Sequence, residues 1–347
     1  MTNLTNIINY KSRINKITQH PLVRWFNDVG TLIRFDQWWA HKNLPTISIF
    51  FLFRFATSTA FSMEDWRSFF MLILSLLLCA TYTSISNDLS DIETDRQAGK
   101  HNRLNDFSRT KITLIFSLIL ILGAGVFFLL EGLLLKFTYA AGWLNWTLYS
   151  FKPFRGKNRG IWGCLFDSFG SHVLPALLAI EFSGFLTSNN LIPVVLCLFW
   201  SFCWGLRGII WHQLYDFNRD KASHVRTLPV IIGCWQTVSL VLWFFFPLEV
   251  GAYILLLAIM NPLLLAPFLI YTIFELIGHF SGKITQTIVE PTLSNRVFLN
   301  YFYIFIAPLS TLIITSGPNY VLIITVLGLF FYKYWSFSKI TIRDWKK

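Results

Sequence analysis

The sequence predicts an all-α, polytopic membrane protein with nine or ten spanning helices. Of the 347 residues, 54% are hydrophobic and only 14% are charged, so the chain is too apolar to keep its surface in water. A second observation is a series of near-continuous apolar stretches, each long enough to cross a hydrocarbon core of roughly 30 Å. Barrel strands would alternate apolar and polar residues instead, so we expect the stretches to be helices.

Ten such stretches follow one another along the chain. They cover residues 44–62, 68–87, 111–130, 132–150, 163–186, 190–215, 229–247, 249–278, 297–315 and 319–337. The predicted organisation is one transmembrane domain over 44–337, preceded by an N-terminal segment over 1–43 and followed by a basic cytoplasmic tail over 338–347. The N-terminal segment is polar, basic and aromatic, which suits a cytoplasmic tail or a helix in the headgroup layer.

The formal net charge of +11 could suggest nucleic-acid binding, but the positions of the charges argue against it. If the stretches alternate in direction, nearly all Lys and Arg residues fall on one face, and the opposite face offers only Arg67 and Lys136. This is the positive-inside pattern, so we predict that the basic face is cytoplasmic. The five cysteines lie in apolar stretches without CxxC or Cys/His spacing, which is typical of packing residues.

An acidic cluster ends the second predicted helix, in the sequence NDLSDIETD at residues 87–95. Asp88, Asp91 and Asp95 stand at i, i+3 and i+7, so helical geometry places them on one face. Three negative charges at the end of an apolar helix repel one another unless cations neutralise them. Magnesium binds through one or two carboxylates and keeps places for phosphate oxygens and waters, so the cluster predicts Mg²⁺ that bridges the protein to a diphosphate.

A second acidic cluster ends the sixth predicted helix, where His212, Asp216 and Asp220 stand at i, i+4 and i+8. Carboxylates that face each other across a cavity would hold metal ions around one diphosphate and stabilise it as a leaving group. The alternative is that acidic residues merely solvate the helix ends. Two clusters on the same predicted face favour the metal site.

A basic loop, KPFRGKNR at residues 152–159, lies between the two clusters. Such loops often serve only to set the topology of a membrane protein. A diphosphate, however, needs cationic hydrogen-bond donors besides its metals. The loops that carry or separate the aspartates supply Arg96, Lys100, Arg103, Arg155, Lys157 and Arg226 as candidates.

Ionisable residues inside the predicted spans are a further sign of function, because burying them in hydrocarbon is costly. The candidates for an acceptor pocket are Asp167, His172, Arg207 and His212. His212 could orient an acceptor or take up the proton that is lost on alkylation. The alternative for Arg207 is a structural ion pair with Asp167.

Three ordered motifs resemble those of the UbiA superfamily of intramembrane prenyltransferases. Residues 87–95 look like its NDxxDxxxD motif, with Arg103 as the basic residue that follows. Residues 149–157 look like its YSxxPxRxK segment, and residues 216–233 look like its DxxxD motif followed by RTLPV and a glycine. The resemblance runs from about residue 34 to the last spanning helix.

The resemblance implies nine core helices around a central cavity, with a lateral opening for a lipid tail. The stretch at 319–337 would then be a tenth helix that returns the C terminus to the cytoplasm. The implied catalytic and metal-binding residues are Asp88, Asp91, Asp95, Asp216 and Asp220. The implied diphosphate-binding residues are Asn87, Arg103, Tyr149, Arg155 and Lys157.

The expected activity is Mg²⁺-dependent transfer of an isoprenyl group from a prenyl diphosphate to an apolar acceptor, for example an aromatic one, of the quinone-, pigment- or lipid-precursor type, by dissociative ionisation of the allylic diphosphate. The expected partners are the prenyl diphosphate donor, the hydrophobic acceptor and membrane lipid, with no nucleic acid. A terpene cyclase that uses the same metal site without an acceptor is the first alternative. A transporter is a second one, although transporter sites typically lie at the bilayer midplane rather than at the helix ends.

Overall fold

A computed structural model of the chain describes residues 30–31, 34, 38–58, 60–97, 99–186, 190–282, 286–291 and 297–316. Most of the predicted N-terminal segment, the stretch at 319–337 and the basic tail lie outside these residues. The predicted domain boundaries and the tenth helix therefore stay predictions.

Nine long helical segments make up most of the described chain, which confirms the all-α prediction. They are α1 (Leu44–Thr57), α2 (Met63–Gln97), α3 (Arg109–Leu129), α4 (Leu133–Ser150), α5 (Ile161–Phe182), α6 (Ile192–Tyr215), α7 (Cys234–Met260), α8 (Pro262–Phe280) and α9 (Phe302–Thr315). Six of them, α2, α3 and α5 to α8, are long and apolar enough to cross a membrane. The described residues contain no β-strand, only an isolated bridge between Thr287 and Val297.

One predicted helix boundary is wrong. The sequence suggested a break at residue 248, whereas α7 runs without interruption from Cys234 to Met260. A π-helical turn at Val241–Phe245 comes just before Pro247, and its wider hydrogen-bond spacing lets the helix pass a proline that would otherwise end it. The real break falls at Asn261, where the backbone is extended and the side chain accepts a hydrogen bond from the next helix.

The bundle is apolar on its exterior as well as in its packed core. Only Ile119, Gly123 and Val126 of α3 are fully buried, and most of the other residues in the second half of this apolar helix are exposed. Large apolar side chains such as Phe128 and Phe274 are more than two-thirds exposed. Lipid tails are the solvent that suits such a surface. Helices α2, α4, α5 and α6 surround the interior cavity, while α6 packs on its other side against α7.

Candidate functional site

A cavity of about 510 Å³ lies between α2, α4, α5 and α6. Where these helices meet the loops after α2, α4 and α6, its wall is polar and is formed by Asn87, Asp91, Asp95, Lys100, Arg155, Lys157, Asp216 and Asp220. Further into the bundle the wall is formed by Leu76, Cys79, Ala80, Tyr139, Gly142, Leu174, Pro175 and Leu178. The cavity thus joins a charged end to an apolar end.

The first acidic motif divides into two parts in the structure. Asn87, Asp91 and Asp95 line the cavity, and Ser150 Oγ donates a 2.6 Å hydrogen bond to Asn87 Oδ1. Asp88 is not part of the cavity wall. Its carboxylate is 2% exposed and lies between the guanidinium groups of Arg34 and Arg103, with Arg103 Nη2 at 2.7 Å. Asp88 thus pairs with two arginines, whereas Asp91 and Asp95 reach the cavity.

The basic loop after α4 folds onto the same wall. Lys157 Nζ donates to Asp91 Oδ1 at 2.7 Å and to Ser90 Oγ at 2.7 Å. Arg155 Nη2 donates to the same Asp91 oxygen at 3.1 Å and to Thr94 Oγ1 at 2.9 Å. Burial lowers the pKa of Lys157, and the nearby Asp91 carboxylate opposes that shift. Two cations from a separate part of the chain thus converge on one carboxylate of the motif.

A glycine allows this loop to lie close to α5. A Cβ on Gly156 would stand 2.6 Å from Cδ2 of Phe166, a distance that side-chain carbons do not tolerate. The neighbouring Arg155 has a positive φ of 42°, a strained conformation for a residue with a side chain. The close approach directs both basic side chains of the loop toward α2.

The second acidic motif lines the same cavity as the first. Asp216 follows the last residue of α6, and Asp220 lies on the short helix Phe217–Ala222. Both line the cavity, and Arg219 Nη1 donates to Asp216 Oδ1 at 2.8 Å. Burial, together with the nearby Asp216 carboxylate, raises the pKa of Asp220 to about 6. A cation between the two carboxylates would relieve this unfavourable charge.

The carboxylates do not form a ready-made metal cage. Among the described residues there is no group of three or more His, Cys, Asp or Glu side chains close enough to hold one ion. Instead, Asp91 and Asp95 of α2 line the same cavity as Asp216 and Asp220, which follow α6. Magnesium usually takes only one or two carboxylates and fills its other positions with waters and phosphate oxygens. The residues therefore fit metal ions that a bound diphosphate helps to hold.

The predicted acceptor residues separate into two groups. Asp167 and His212 line the cavity. His172 lies behind that wall, 8% exposed, with its Nδ1 2.7 Å from Ser171 Oγ. Arg207 does not reach the cavity wall, because it stands nine residues before Asp216 and therefore about 180° away around α6.

Arg207 forms an ion pair with Glu249 of α7 rather than the expected pair with Asp167. Its Nε and Nη2 donate to the two oxygens of Glu249 at 2.8 and 2.7 Å, and both side chains are at most 1% exposed. The remaining nitrogen donates to the carbonyls of Ile288 and Phe298. Glu249 was not among the predicted functional residues, because the wrongly placed break at 248 put it at a helix end, where a charged residue is common.

Several polar residues of the cavity wall were also missed, namely Arg34, Lys42, Asn43, Ser171 and Gln213. Lys42 and Asn43 immediately precede α1, and in the sequence Lys42 is one of the many basic residues on the predicted cytoplasmic face. Burial lowers the pKa of Lys42, while the nearby Asp167 carboxylate acts in the opposite direction. The position of Lys42 and Asn43, directly before the first apolar stretch, is the sequence feature that could have indicated them.

The structure thus defines an intramembrane helical bundle with a cavity that joins a charged end, lined by residues of both acidic motifs and the basic loop, to an apolar end. The chain belongs to the UbiA prenyltransferase family, whose model matches residues 47–289. Membership supports prenyl transfer in general and an integral membrane location. No curated protein matches the chain in sequence.

Solved structures of the same fold agree with this assignment. A UbiA homologue from Archaeoglobus fulgidus bound to DMAPP and Mg²⁺ shares 14% identity, with 91% of this chain and 99% of that chain covered and a TM-score of 0.52. A UbiA homologue from Archaeoglobus fulgidus bound to GPP and Mg²⁺ shares 15% identity, with 90% of this chain and 99% of that chain covered and a TM-score of 0.51. A digeranylgeranylglyceryl phosphate synthase shares 19% identity, with 84% of this chain and 98% of that chain covered and a TM-score of 0.54. At these identities the likeness shows the fold.

Proposed function

We propose that this protein transfers an isoprenyl group from a prenyl diphosphate to an acceptor within the membrane, with Mg²⁺ as cofactor. The observation that carries the proposal is one cavity with carboxylates from two separate motifs at its charged end and an apolar wall beyond them. A prenyl diphosphate has the same division, with a polyanionic head and a hydrocarbon tail. The positive-inside distribution of Lys and Arg supports a charged end that faces the cytoplasm.

The proposed metal-binding residues are Asp91 and Asp95 of α2 and Asp216 and Asp220, which follow α6. Magnesium, when bound, supplies the positive charge that stabilises the diphosphate as the allylic C–O bond breaks. The ligands of the two solved structures of the Archaeoglobus fulgidus homologue, DMAPP or GPP with Mg²⁺, support this choice of donor and metal.

The chain's own cations are proposed to bind the diphosphate directly. Arg155 and Lys157 both form ion pairs with Asp91. From these positions their N–H groups would donate charge-assisted hydrogen bonds to the oxygens of a diphosphate bound beside Asp91. Asn87 and Tyr149 line the wall beside them. Arg103, bound to Asp88, is proposed to act on the diphosphate through its positive charge.

The prenyl tail is proposed to lie along the apolar wall, with the aromatic faces of Trp146 and Tyr149 near its first carbons. Their rings meet edge to face with centroids 5.3 Å apart, and aromatic faces stabilise a neighbouring cation. Asp167 and His212 line the cavity on its other side. They are the groups that would accept the proton released when the acceptor is alkylated.

Product analysis tests this proposal. Purified protein in lipid would receive prenyl diphosphates of several chain lengths, with and without candidate acceptors, and the products would be identified by mass spectrometry. We expect prenylated acceptor that forms only with Mg²⁺. Cyclic hydrocarbon from the donor alone would establish the cyclase alternative, and release of no diphosphate from any donor would overturn the proposal.

A further inference from the structure

The apolar end of the cavity is a channel whose walls come from three helices. On α2 the lining residues recur at i, i+3, i+4, i+7, i+8 and i+11 from Leu76 to Asn87, so they form one stripe of the helix. Stripes of helical spacing also line it on α4, within residues 139–149, and on α5, within residues 167–178. A channel that follows three such stripes runs along the helix axes.

Packed side chains close the inner end of this channel. Leu76 of α2, Tyr139 of α4 and Leu178 of α5 are the lining residues farthest from the charged end on their helices, and all three are buried. Leu72, one turn beyond Leu76, is 0% exposed and belongs to the same hydrophobic core. The three helices also pack against one another in pairs. The described helices thus enclose the inner end on its sides and at its floor.

The helices also give the length of the channel. Ser150 of α4 donates to Asn87 of α2, so Tyr149, next to Ser150, lies at about the level of Asn87, where the charged end begins. Leu76 precedes Asn87 by 11 residues, and Tyr139 precedes Tyr149 by 10. With a rise of about 1.5 Å per residue, these spacings correspond to about 17 and 15 Å along the two helices. Both helices therefore indicate an apolar channel of similar length.

We propose that the channel selects a donor with three isoprene units, and that Leu76, Tyr139 and Leu178 set this limit. The inference rests on the proposed prenyl transfer and names the length class of its donor. An isoprene unit adds four carbon–carbon bonds of about 1.5 Å each to the chain, and therefore about 5 Å to its extended length. Three units fill about 15 Å on this scale, whereas a fourth would meet the packed side chains at the inner end.

Small side chains give the channel the width that a tail needs. Cys79 and Ala80 of α2 and Gly142 of α4 line it, and a Cβ on Gly142 would stand 3.6 Å from Cys79 Sγ, an ordinary contact distance. Gly142 lies three residues from Tyr139, which corresponds to about 5 Å along α4. A larger side chain at position 142 would therefore shorten the channel by about one isoprene unit.

Binding of donor analogues of different length tests the inference. Unreactive thio analogues of geranyl, farnesyl and geranylgeranyl diphosphate would be titrated with Mg²⁺ onto the full chain in lipid nanodiscs. Their partition into protein-free nanodiscs would be subtracted. We expect the farnesyl analogue to bind at least tenfold more tightly than either neighbour, because the geranyl tail buries less apolar surface and the geranylgeranyl tail overfills the channel.

The outcomes separate this inference from the proposed function. Affinity that is equal for the three analogues, or that is highest for geranyl or geranylgeranyl, would overturn the length limit and leave the donor site in place. If none of the three analogues binds, the proposed function fails together with the inference.

Variants should move the limit in both directions. Gly142→Leu should shift the tightest binding to the geranyl analogue, and Leu76→Ala should shift it to the geranylgeranyl analogue. The matched control is Gly125→Leu, the same change on α3, where no neighbouring atom lies within 4 Å of an added Cβ; its preference should stay at farnesyl. Either channel variant is decisive alone, since a preference that stays at farnesyl in a folded variant would overturn the assignment of the limit to this channel.

Discussion

The buried ion pair between Arg207 and Glu249 gives a prediction about what holds α6 in place. Arg207→Met would leave the Glu249 carboxylate without a cationic partner at 0% exposure. Removing one partner of a buried ion pair costs roughly 3–5 kcal/mol. The carbonyls of Ile288 and Phe298 would lose a donor as well. We expect a loss of about 4 kcal/mol or more in the free energy of unfolding.

A double-mutant cycle separates the ion pair from the other contacts of Arg207. Glu249→Leu combined with Arg207→Met removes both charges, so the double variant should be more stable than Arg207→Met alone. It should not recover fully, since the two carbonyls still lack a donor and each such bond contributes about 1 kcal/mol. Unfolding in mixed micelles titrated with denaturing detergent, followed by circular dichroism, measures each variant.

The matched control is Arg67→Met. Arg67 is 58% exposed and pairs with Glu64 and Glu131 at the protein surface, where ion pairs contribute roughly 0–1 kcal/mol. If Arg207→Met costs no more than Arg67→Met, or if the double variant is as unstable as the sum of its single changes, the reasoning about this ion pair is refuted.

Three further predictions concern the charged end of the cavity. Asp91→Asn should raise the Mg²⁺ concentration needed for half-maximal diphosphate release, whereas Asp88→Asn should mainly lower the melting temperature. If both variants shift the magnesium titration equally, Asp88 and Asp91 do not have different roles. Lys157→Met should raise the donor KM roughly tenfold or more, since a charge-assisted hydrogen bond contributes roughly 1.5–3 kcal/mol; an unchanged KM would remove Lys157 from the diphosphate site. Gly156→Ala should also weaken donor binding, because its Cβ would stand 2.6 Å from Phe166, and unaltered binding would show that the loop adjusts.

The spacing of charged residues predicted much of the site. Asp91, Asp95, Asp216 and Asp220 all line one cavity, which agrees with the prediction that both acidic motifs lie on the same face of the membrane. The basic loop could be assigned only in general terms from its composition, because topology alone accounts for its charges. The structure adds the specific contacts of Lys157 and its neighbour with Asp91.

Long-range partners could not be read from spacing. Asp88 shares a helix face with Asp91 and Asp95, and only the tertiary position of Arg34 and Arg103 distinguishes it. Arg34 lies 54 residues before Asp88 in the chain. The hydrophobic pattern around Arg34 does not indicate where this segment lies relative to the helices. Helical periodicity alone, by contrast, places Arg207 and Asp216 on opposite faces of α6, because nine residues make about two and a half helical turns.

Magnesium-dependent release of diphosphate from a prenyl donor, measured for Asp91→Ala and Asp216→Ala, tests the central claim most directly. These residues come from separate parts of the chain and line the same cavity. Each substitution should slow release roughly 100-fold or more, the usual effect of removing one group that stabilises charge in a transition state. Asp106→Ala, a change of an exposed loop carboxylate, should have no effect. Release at the unmodified rate in both cavity variants would contradict a metal site shared by the two motifs.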